Sequence, residues 1–467
     1  MMKIVNLIFG VAILASLTLT NSACKKKNLF GDGNLSFSTD TLVFDTVFTT
    51  IGSTTKYFKI YNPQSKSLKI SQVELMGGSA SKFKLNLDGL QGTSFSDLEI
   101  PSGDSLFCFV EVKLSVNGQN LPVIVEDSVR FTTNGEDQYV KLAAWGQDMY
   151  YHYSNIGAGI FDLNEGTWPN DKPHVIYNSA FVDSAKTLNI IGGTHIYLHK
   201  GAILWNYKGT LNIDGDYNNK VTIQGDRLEA AYKDVPGQYY GIYLQEARPS
   251  LIDNLVIKNA IAGIHVDSRD PAFSQNTLTI SNTEILNAAS YGLFLFDGPK
   301  VYGENVLVHS TGVHSLLVIQ GADFTFNQCD FLGYGTGEGT TPAVGISNYY
   351  TNSQGTTVAQ IPNANFNNCV IYGSSGEHLA IDTIQTGGLT LNFHFRNSVI
   401  LKSNLGNPMF TSCSNSNPAF VNPNGDDFKF YSTSSLSNNA NQIYSTAQDI
   451  RGFGRNSPPD IGVYDLP

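Results

Sequence analysis

A four-residue unit recurs through the second half of this chain, and its spacing leaves few folds open. Asn254-Leu255-Val256-Ile257 returns as Asn282-Thr283-Glu284-Ile285, Asn305-Val306-Leu307-Val308, Gln328-Cys329-Asp330-Phe331, Asn368-Cys369-Val370-Ile371 and Asn397-Ser398-Val399-Ile400, at intervals of 28, 23, 23, 40 and 29 residues. A second unit lies between the copies: Gly241-Ile242-Tyr243-Leu244, Gly263-Ile264-His265-Val266, Gly292-Leu293-Phe294-Leu295 and Ser315-Leu316-Leu317-Val318, with looser copies at Gly345-Ile346 and Ala380-Ile381. A period near 23 with two short apolar strands and variable insertions predicts a solenoid, in which stacking buries a core that no single copy can bury alone. The Leu lattice of leucine-rich repeats is absent, and helical repeats need longer segments of 3.6-residue period. What remains is a right-handed parallel β-helix of roughly eight to ten coils. Each coil turns one or two apolar side chains inward, and Asn or Gln at one turn bonds its counterpart in the next coil, as in stacked amide ladders. The strand series Thr187-Leu188-Asn189-Ile190, His195-Ile196-Tyr197-Leu198, Ala202-Ile203-Leu204-Trp205, Thr210-Leu211-Asn212-Ile213 and Val221-Thr222-Ile223 starts it early, so the β-helix and its closing segment are expected over 187–467.

The preceding stretch follows a different pattern. Lys56-Tyr57-Phe58-Lys59-Ile60-Tyr61, Phe107 to Val112, Asp127-Ser128-Val129-Arg130-Phe131 and Tyr139-Val140-Lys141-Leu142 alternate apolar with polar residues and are separated by turns such as Asn62-Pro63 and Asn134-Gly135. About seven such strands predict an antiparallel β-sandwich over 35–148. Gly52 ahead of Tyr57 to Asn62, Phe83, Ile100-Pro101-Ser102-Gly103-Asp104 and Phe131-Thr132-Thr133-Asn134-Gly135 make this segment resemble the abnormal-spindle/Hydin-type immunoglobulin-like domains of bacterial envelope proteins. That resemblance implies spacing or interaction rather than catalysis. Residues 149–186, with Gly157, Gly159, Gly166, Pro169 and Pro173, are expected as a linker and cap.

The first residues carry an address. Met1-Met2-Lys3, the apolar run Ile4 to Thr20 and the small residues before Cys24 predict a signal peptide over 1–23, too short to span a membrane. Ser22-Ala23-Cys24 resembles a bacterial lipobox, with Asn21 where that motif usually has an aliphatic residue. The resemblance implies that Cys24 is lipidated, that 24–34 is a tether, and that the chain is exported and anchored to the envelope, with the outer membrane the expected site. Lys25-Lys26-Lys27 stand where surface-exported lipoproteins often carry acids, which leaves the facing side open. The chain holds 29 Lys+Arg against 40 Asp+Glu, a formal charge of −11, which argues against nucleic acid as a partner. Cys108, Cys329, Cys369 and Cys413 form no CxxC pair, so zinc spacing is missing. Cys108 is expected as a buried thiol. Cys329 and Cys369 occupy equivalent repeat positions, where stacked thiols or a disulfide are both open.

The opening of the solenoid carries a further resemblance. Gly193-Thr194-His195-Ile196-Tyr197, Lys200-Gly201-Ala202, Gly209-Thr210-Leu211 and Val221-Thr222-Ile223-Gln224-Gly225-Asp226-Arg227 resemble secreted bacterial β-helix lipoproteins of the pectate-lyase-like superfamily. So do Pro418-Ala419-Phe420, Asp449-Ile450-Arg451-Gly452 and Arg455 to Tyr464 at the end. The superfamily holds lyases, hydrolases, esterases and non-catalytic adhesins, so it implies fold and not activity.

Its known chemistries can be sought residue by residue. The polygalacturonase type carries Asn-Thr-Asp, a paired Asp-Asp and Gly-His-Gly. This chain has Asn282-Thr283-Glu284, no Gly-His-Gly, and a paired Asp only at Asp426-Asp427 in the tail; Glu284 reads as a solvated strand residue. A lyase needs Ca²⁺-binding carboxylates beside an Arg or Lys base. The best local cluster is His265, Asp267, Arg269 and Asp270: alternation places His265 and Asp267 outward on one face, with Arg269 and Asp270 in the following loop. The same four residues also fit an Asp–Arg loop staple on a polar coil. A second cluster, Asp226, Arg227 and Glu229 with Tyr239 and Tyr240, lies in a long insertion that either lines a sugar-binding groove or packs on the solenoid wall. The insertions at 333–343 and 349–361 are placed to extend such a rim. His309, His314 and the run Glu377-His378 to Asp382 lack metal-ligand spacing. No metal site and no cofactor are expected, Ca²⁺ entering only with the lyase reading. The expected role is glycan or protein-partner binding in the envelope. The alternative is a polysaccharide lyase or glycoside hydrolase acting in a groove on the β-helix side.

Overall fold

The computed structural model describes residues 30–466 apart from 117, 119–122, 336–340, 361, 375 and 386–389. The signal segment and Cys24 lie outside the described residues. The chain divides into two units, 1–148 and 149–467.

In the first unit, two-residue alternation builds a sandwich. Along Lys56–Tyr61, Phe58 and Ile60 are buried while Tyr57 and Tyr61 are exposed. One five-stranded sheet runs Ser36–Phe37, Lys56–Tyr61, Ser105–Val112, Phe83–Leu87, Leu90–Gly92; the other runs Thr41–Phe48, Glu136–Gln147, Val123–Thr133, Leu68–Leu75, Ser94–Ile100. The strand pairs are antiparallel except Thr41–Phe48, which runs parallel to Glu136–Gln147 at the edge of its sheet. Asn134 and Gly135, at φ 53° and 85°, close the hairpin between Val123–Thr133 and Glu136–Gln147. Two positive φ values in a two-residue loop match the twist of the strands, and Asn-Gly tolerates them best. Phe58 meets Phe131 edge-to-face at 6.0 Å in the core. Cys108 is buried there, and burial pushes its thiol up to about 12.

The second unit is a parallel β-helix with three faces. The first face stacks Ile203–Tyr207, Gly241–Gln245, Ala262–Asp267, Tyr291–Phe296, His314–Ile319, Val344–Ser347 and Leu379–Asp382. The second stacks His195–Leu198, Val221–Gly225, Leu255–Lys258, Glu284–Leu286, Leu307–His309, Asp330–Gly333, Val370–Gly373 and Val399–Ile400. The third is a ten-stranded parallel sheet from Gly166–Trp168 to Phe410–Thr411. The solenoid begins earlier than the sequence suggests. Tyr150–Ser154 already pairs in parallel with His174–Val182, and Gly166–Trp168 with Thr187–Ile191, so 149–186 holds the first rungs. Its glycines and prolines mark turns between rungs.

The recurring Asn has a conformational cause. Asn254, Asn282, Asn305, Gln328, Asn368 and Asn397 all sit at φ between 48° and 54°, at the corner before the second face. Asn adopts this left-handed region more readily than most residues with a Cβ. The expected amide bond at that corner forms from Asn305 to Asn282 at 3.0 Å, whereas Asn368 turns to the Asn441 carbonyl of the tail. Further amide bonds between adjacent coils form on the third face, such as Asn212 to Asn189 at 2.9 Å and Asn367 to Asn327 at 2.8 Å. The next residue of the repeat accepts a backbone N–H from the preceding coil: Leu255 donates to Thr283, Val306 to Cys329 Sγ and Cys369 to Ser398. Cys329 and Cys369 are therefore free, buried thiols, and burial holds Cys329 well above the usual thiol range.

Beyond the last rungs the chain folds back over the second face. Phe428, Phe430, Ile450, Ile461 and Val463 pack on Leu307, Leu332, Val370 and Val399. The charged residues of the closing motif form a clamp. Asp449, with a fully buried side chain, accepts two bonds from the Arg451 guanidinium, one from the Arg451 N–H and one from the Asp465 N–H. Arg455 donates to the carbonyls of Gly462, Val463 and Tyr464 and to Asn305. Asp330, fully buried beneath it, is pushed up to about 8 by burial while the Val463 N–H and Arg455 pull the other way.

Candidate functional site

Stacking in register turns one repeat position into a column. On the first face, Phe181, Trp205, Tyr243, His265, Phe294 and Leu317 occupy the same outward position in successive coils, about 4.7–4.9 Å apart. His265 lies between Tyr243 and Phe294, with ring centroids at 4.7 and 4.4 Å and near-parallel planes. The rings cover one another's faces, so solvent meets their edges and polar tips. A neighbouring outward column holds Tyr207, Gln245, Asp267, Phe296 and Ile319.

Polar contacts tie the columns together. The Tyr240 hydroxyl lies 2.8 Å from His265 Nδ1, and His265 Nε2 is buried with no hydrogen-bond partner. Burial pulls the imidazole down to about 4 against the opposing charge of Asp267, so it is neutral at pH 7. The Tyr243 hydroxyl donates to Asp267 at 2.6 Å, and the phenol is held above its usual range by burial and by that bond. Ser268 Oγ lies between two carboxylates, 3.0 Å from Asp267 and 2.8 Å from Asp297, and shares its one proton between them; Asp297 also accepts from Gln360 at 2.6 Å and from Gln320. The Trp205 indole donates to Gln245 at 3.1 Å. The hairpin Tyr349–Thr351 with Thr357–Ala359 borders this face, its Tyr350 ring meeting Phe296 edge-to-face at 5.5 Å.

The structure thus brings His265 and Asp267 together on one half-buried strip but leaves Arg269 exposed on the loop. Asp270 accepts the Ala272 N–H at 2.9 Å and shapes the turn, not the expected Asp–Arg staple. In the second cluster, Tyr239 is corrected from ligand-facing to core: it is fully buried and donates to the Ile223 and Lys258 carbonyls. Arg227 forks onto Glu229 and lies 3.9 Å over the Tyr232 ring, covering that face. Asp226 bonds His199 Nδ1 at 2.7 Å, and His199 stacks on Tyr177. The insertion therefore packs on the wall and contributes Tyr240 to the strip. Glu284 is corrected from solvated to paired, bonding buried His309 at 3.1 Å. Among the described residues, no group of three or more His, Cys, Asp or Glu side chains is arranged to hold a metal ion. Sequence reasoning missed Tyr243 and Trp205. The signal was present in the second repeat unit, whose copies align Tyr243, His265 and Phe294 at one position.

Residues 152–331 match the family model described as a right handed beta helix region, and the match begins within the first parallel strand, Tyr150–Ser154. No curated protein matches the chain. Among solved structures, the chain is similar to the catalytic unit of a thermostable GH87 α-1,3-glucanase from Streptomyces thermodiastaticus strain HF3-3, at 10% identity over 73% of this chain and 72% of that one, TM-score 0.29. It is also similar to the A-module of a mannuronan C-5 epimerase from Azotobacter vinelandii, at 13% identity over 52% and 87%, TM-score 0.23. A family 123 glycoside hydrolase from Clostridium perfringens is matched at 10% identity and TM-score 0.18, over 24% of this chain and 26% of the hydrolase. The fold assignment rests on the family model and on the strand pairing.

Proposed function

We propose that this chain is an envelope lipoprotein that holds an extended glycan along the first face of its β-helix. The observation that carries this is the strip: outward side chains stack one per coil into an apolar ladder, and two adjacent coils edge it with Tyr240, Tyr243, Gln245 and Asp267, so that an extended polymer meets a continuous surface with a polar rim. Half-buried aromatic edges supply apolar contact, and the hydroxyl, amide and carboxylate fix orientation. The test is affinity electrophoresis of the full-length chain through gels containing soluble neutral and acidic polysaccharides. Retardation should appear on at least one polymer, and Gln245→Ala with Asp267→Ala should weaken it at least tenfold in Kd. Equal retardation of the double variant overturns the reading. A protein partner recognised by the same strip is the other occupant the sequence leaves open, and retention on no polysaccharide favours it.

A second reading is favoured by His265. The half-buried Tyr240 hydroxyl, at the edge of the strip, lies 2.8 Å from His265 Nδ1, an arrangement in which the imidazole orients a phenol for proton transfer in a lyase. His265→Phe keeps a flat ring in the ladder between Tyr243 and Phe294 while removing both ring nitrogens. Release of unsaturated uronate, followed by absorbance, should then vanish while the fold persists; activity that survives the change sinks this reading.

The lipid anchor is tested by fractionation. Cys24→Ser should move the protein from the membrane pellet to the soluble fraction, and unchanged partitioning refutes the anchor. The abnormal-spindle/Hydin-type resemblance fits 35–148 as a spacer between that anchor and the solenoid.

A further inference from the structure

The alternation that buries Phe58, Ile60, Cys108 and Val110 turns Tyr57, Lys59, Phe107 and Phe109 to the opposite side of their sheet, away from the sandwich core. Register then assembles a row across four neighbouring strands. Tyr57 faces Phe109, Phe109 faces Asn86, and Asn86 faces Gln91. Beside it, Lys84 faces Glu111 and Lys59 faces Phe107. The three rings cluster with centroids 5.4–5.9 Å apart, and Phe107 and Phe109 lie within 13° of parallel. Lys59 Nζ sits 4.5 Å from the Phe107 ring. Tyr57 is 54% and Phe109 37% exposed. In the solenoid, by contrast, rings hide one another. A cavity of about 630 Å³ opens beside the row, its lining including Thr55, Lys84, Asn86, Gln91, Phe109 and Glu111. This volume lies within the ~300–1,000 Å³ of small-ligand sites.

We propose that this outer sheet face is a second carbohydrate-binding surface, one that takes a neutral glycan. A pyranose has an apolar C–H face and a rim of hydroxyls. The Tyr57–Phe109 cluster matches the first, and Asn86 and Gln91, whose amides both donate and accept, match the second. Glu111 already accepts from Thr55 Oγ1 at 2.9 Å, which orients its carboxylate at the cavity wall. Lys84 and Glu111 stand opposite each other in register, so the cavity lining has no net charge and does not select an anionic polymer. A peptide adding as a strand uses a sheet edge, whereas this row crosses the middle of the sheet. The inference is independent of the solenoid reading.

The experiment uses the full-length chain carrying Gln245→Ala and Asp267→Ala, so that the solenoid strip is removed, in gels containing hydroxyethyl cellulose, galactomannan or polygalacturonate. Retardation should remain on at least one of the two neutral polymers. Adding Tyr57→Ala with Phe109→Ala, or separately Asn86→Ala with Gln91→Ala, should weaken it at least tenfold in Kd. These side chains point away from the sandwich core, and an unchanged circular dichroism melt confirms that the fold is kept. The proposal is overturned by no residual retardation, by residual retardation that both pairs leave intact, or by retardation on polygalacturonate alone. A concentration-dependent dimer in sedimentation, lost with Tyr57→Ala and unaccompanied by retardation, makes a second copy the occupant and also overturns it. Failure of the solenoid reading is read separately, from the starting double variant behaving like the wild type.

Discussion

Phe366→Ala is expected to cost about 3–5 kcal/mol of stability, the range for emptying a fully buried aromatic site. Phe366 stands at the junction of two interior columns. It lies 5.0 Å from Phe395 in the next coil with planes 4° apart, and meets Phe324 and Phe331 edge-on at 5.3 and 5.9 Å. Phe326 and Phe395 are its register partners on either side. The void cannot close easily, because the coils around it are held at fixed spacing by their backbone ladders. A solenoid is stabilised by nearest-neighbour interfaces, so damage at one interface separates the coils on either side. Unfolding of the variant should therefore split. Circular dichroism should lose amplitude at lower urea, while the fluorescence of Trp168 and Trp205, near the other end, falls later. Phe410, half-buried on the last rung, offers the comparison: its alanine variant should lose less. A shift below about 1 kcal/mol at Phe366 contradicts this account of the core.

The interior was largely legible from the sequence because β-helix packing is periodic. Each copy of the Asn repeat ends on an inward residue, Ile257, Ile285, Val308, Phe331, Ile371 and Ile400, and all are buried. The start of the solenoid was not legible, because Tyr150–Ser154 and His174–Val182 are joined by turns rich in Gly and Pro that imitate a linker. Local reading of the His265 cluster found Asp267 but joined it to Arg269 and Asp270, its neighbours in sequence. The true neighbours, Tyr240 and Tyr243, lie one coil away, at a separation that only aligned repeat units reveal. Asp426 reads as a tail residue in sequence, because nothing local shows that the tail folds back onto His309.

That return contact sets the last expectation: the closing segment should be held most firmly between mildly acidic and neutral pH. His309 has a fully buried side chain. Its Nε2 lies 3.1 Å from Glu284 on the previous coil, and its Nδ1 lies 3.2 Å from Asp426 in the tail and 2.9 Å from Ser310 Oγ. Ser310 in turn donates to Asp426 at 2.7 Å, and the Phe428 ring packs at 4.8 Å. With a carboxylate at each nitrogen, both nitrogens must donate, which requires the imidazolium. Burial alone pulls His309 down, but the bonds to Asp426 and Glu284 outweigh it and leave the group raised. Its contribution to stability is complete below the ordinary imidazole value of about 6.5 and is lost as pH rises through the raised value. The carboxylates have the opposite sign. Burial raises Glu284, but the His309 bond and charge, with Lys220 adding to them, leave it lowered; the His309 bond lowers Asp426 first. Their contribution is complete above the ordinary carboxylate range of about 4 and is lost as pH falls through the lowered values. His309→Gln should cost about 1–3 kcal/mol at pH 6, since it strands a half-buried pair of carboxylates without their cation. The fall in urea midpoint from pH 6 to pH 9 should be smaller for the variant than for the wild type, the part common to both coming from buried Asp330. Equal alkaline slopes in the two proteins show that His309 does not hold the tail by its charge.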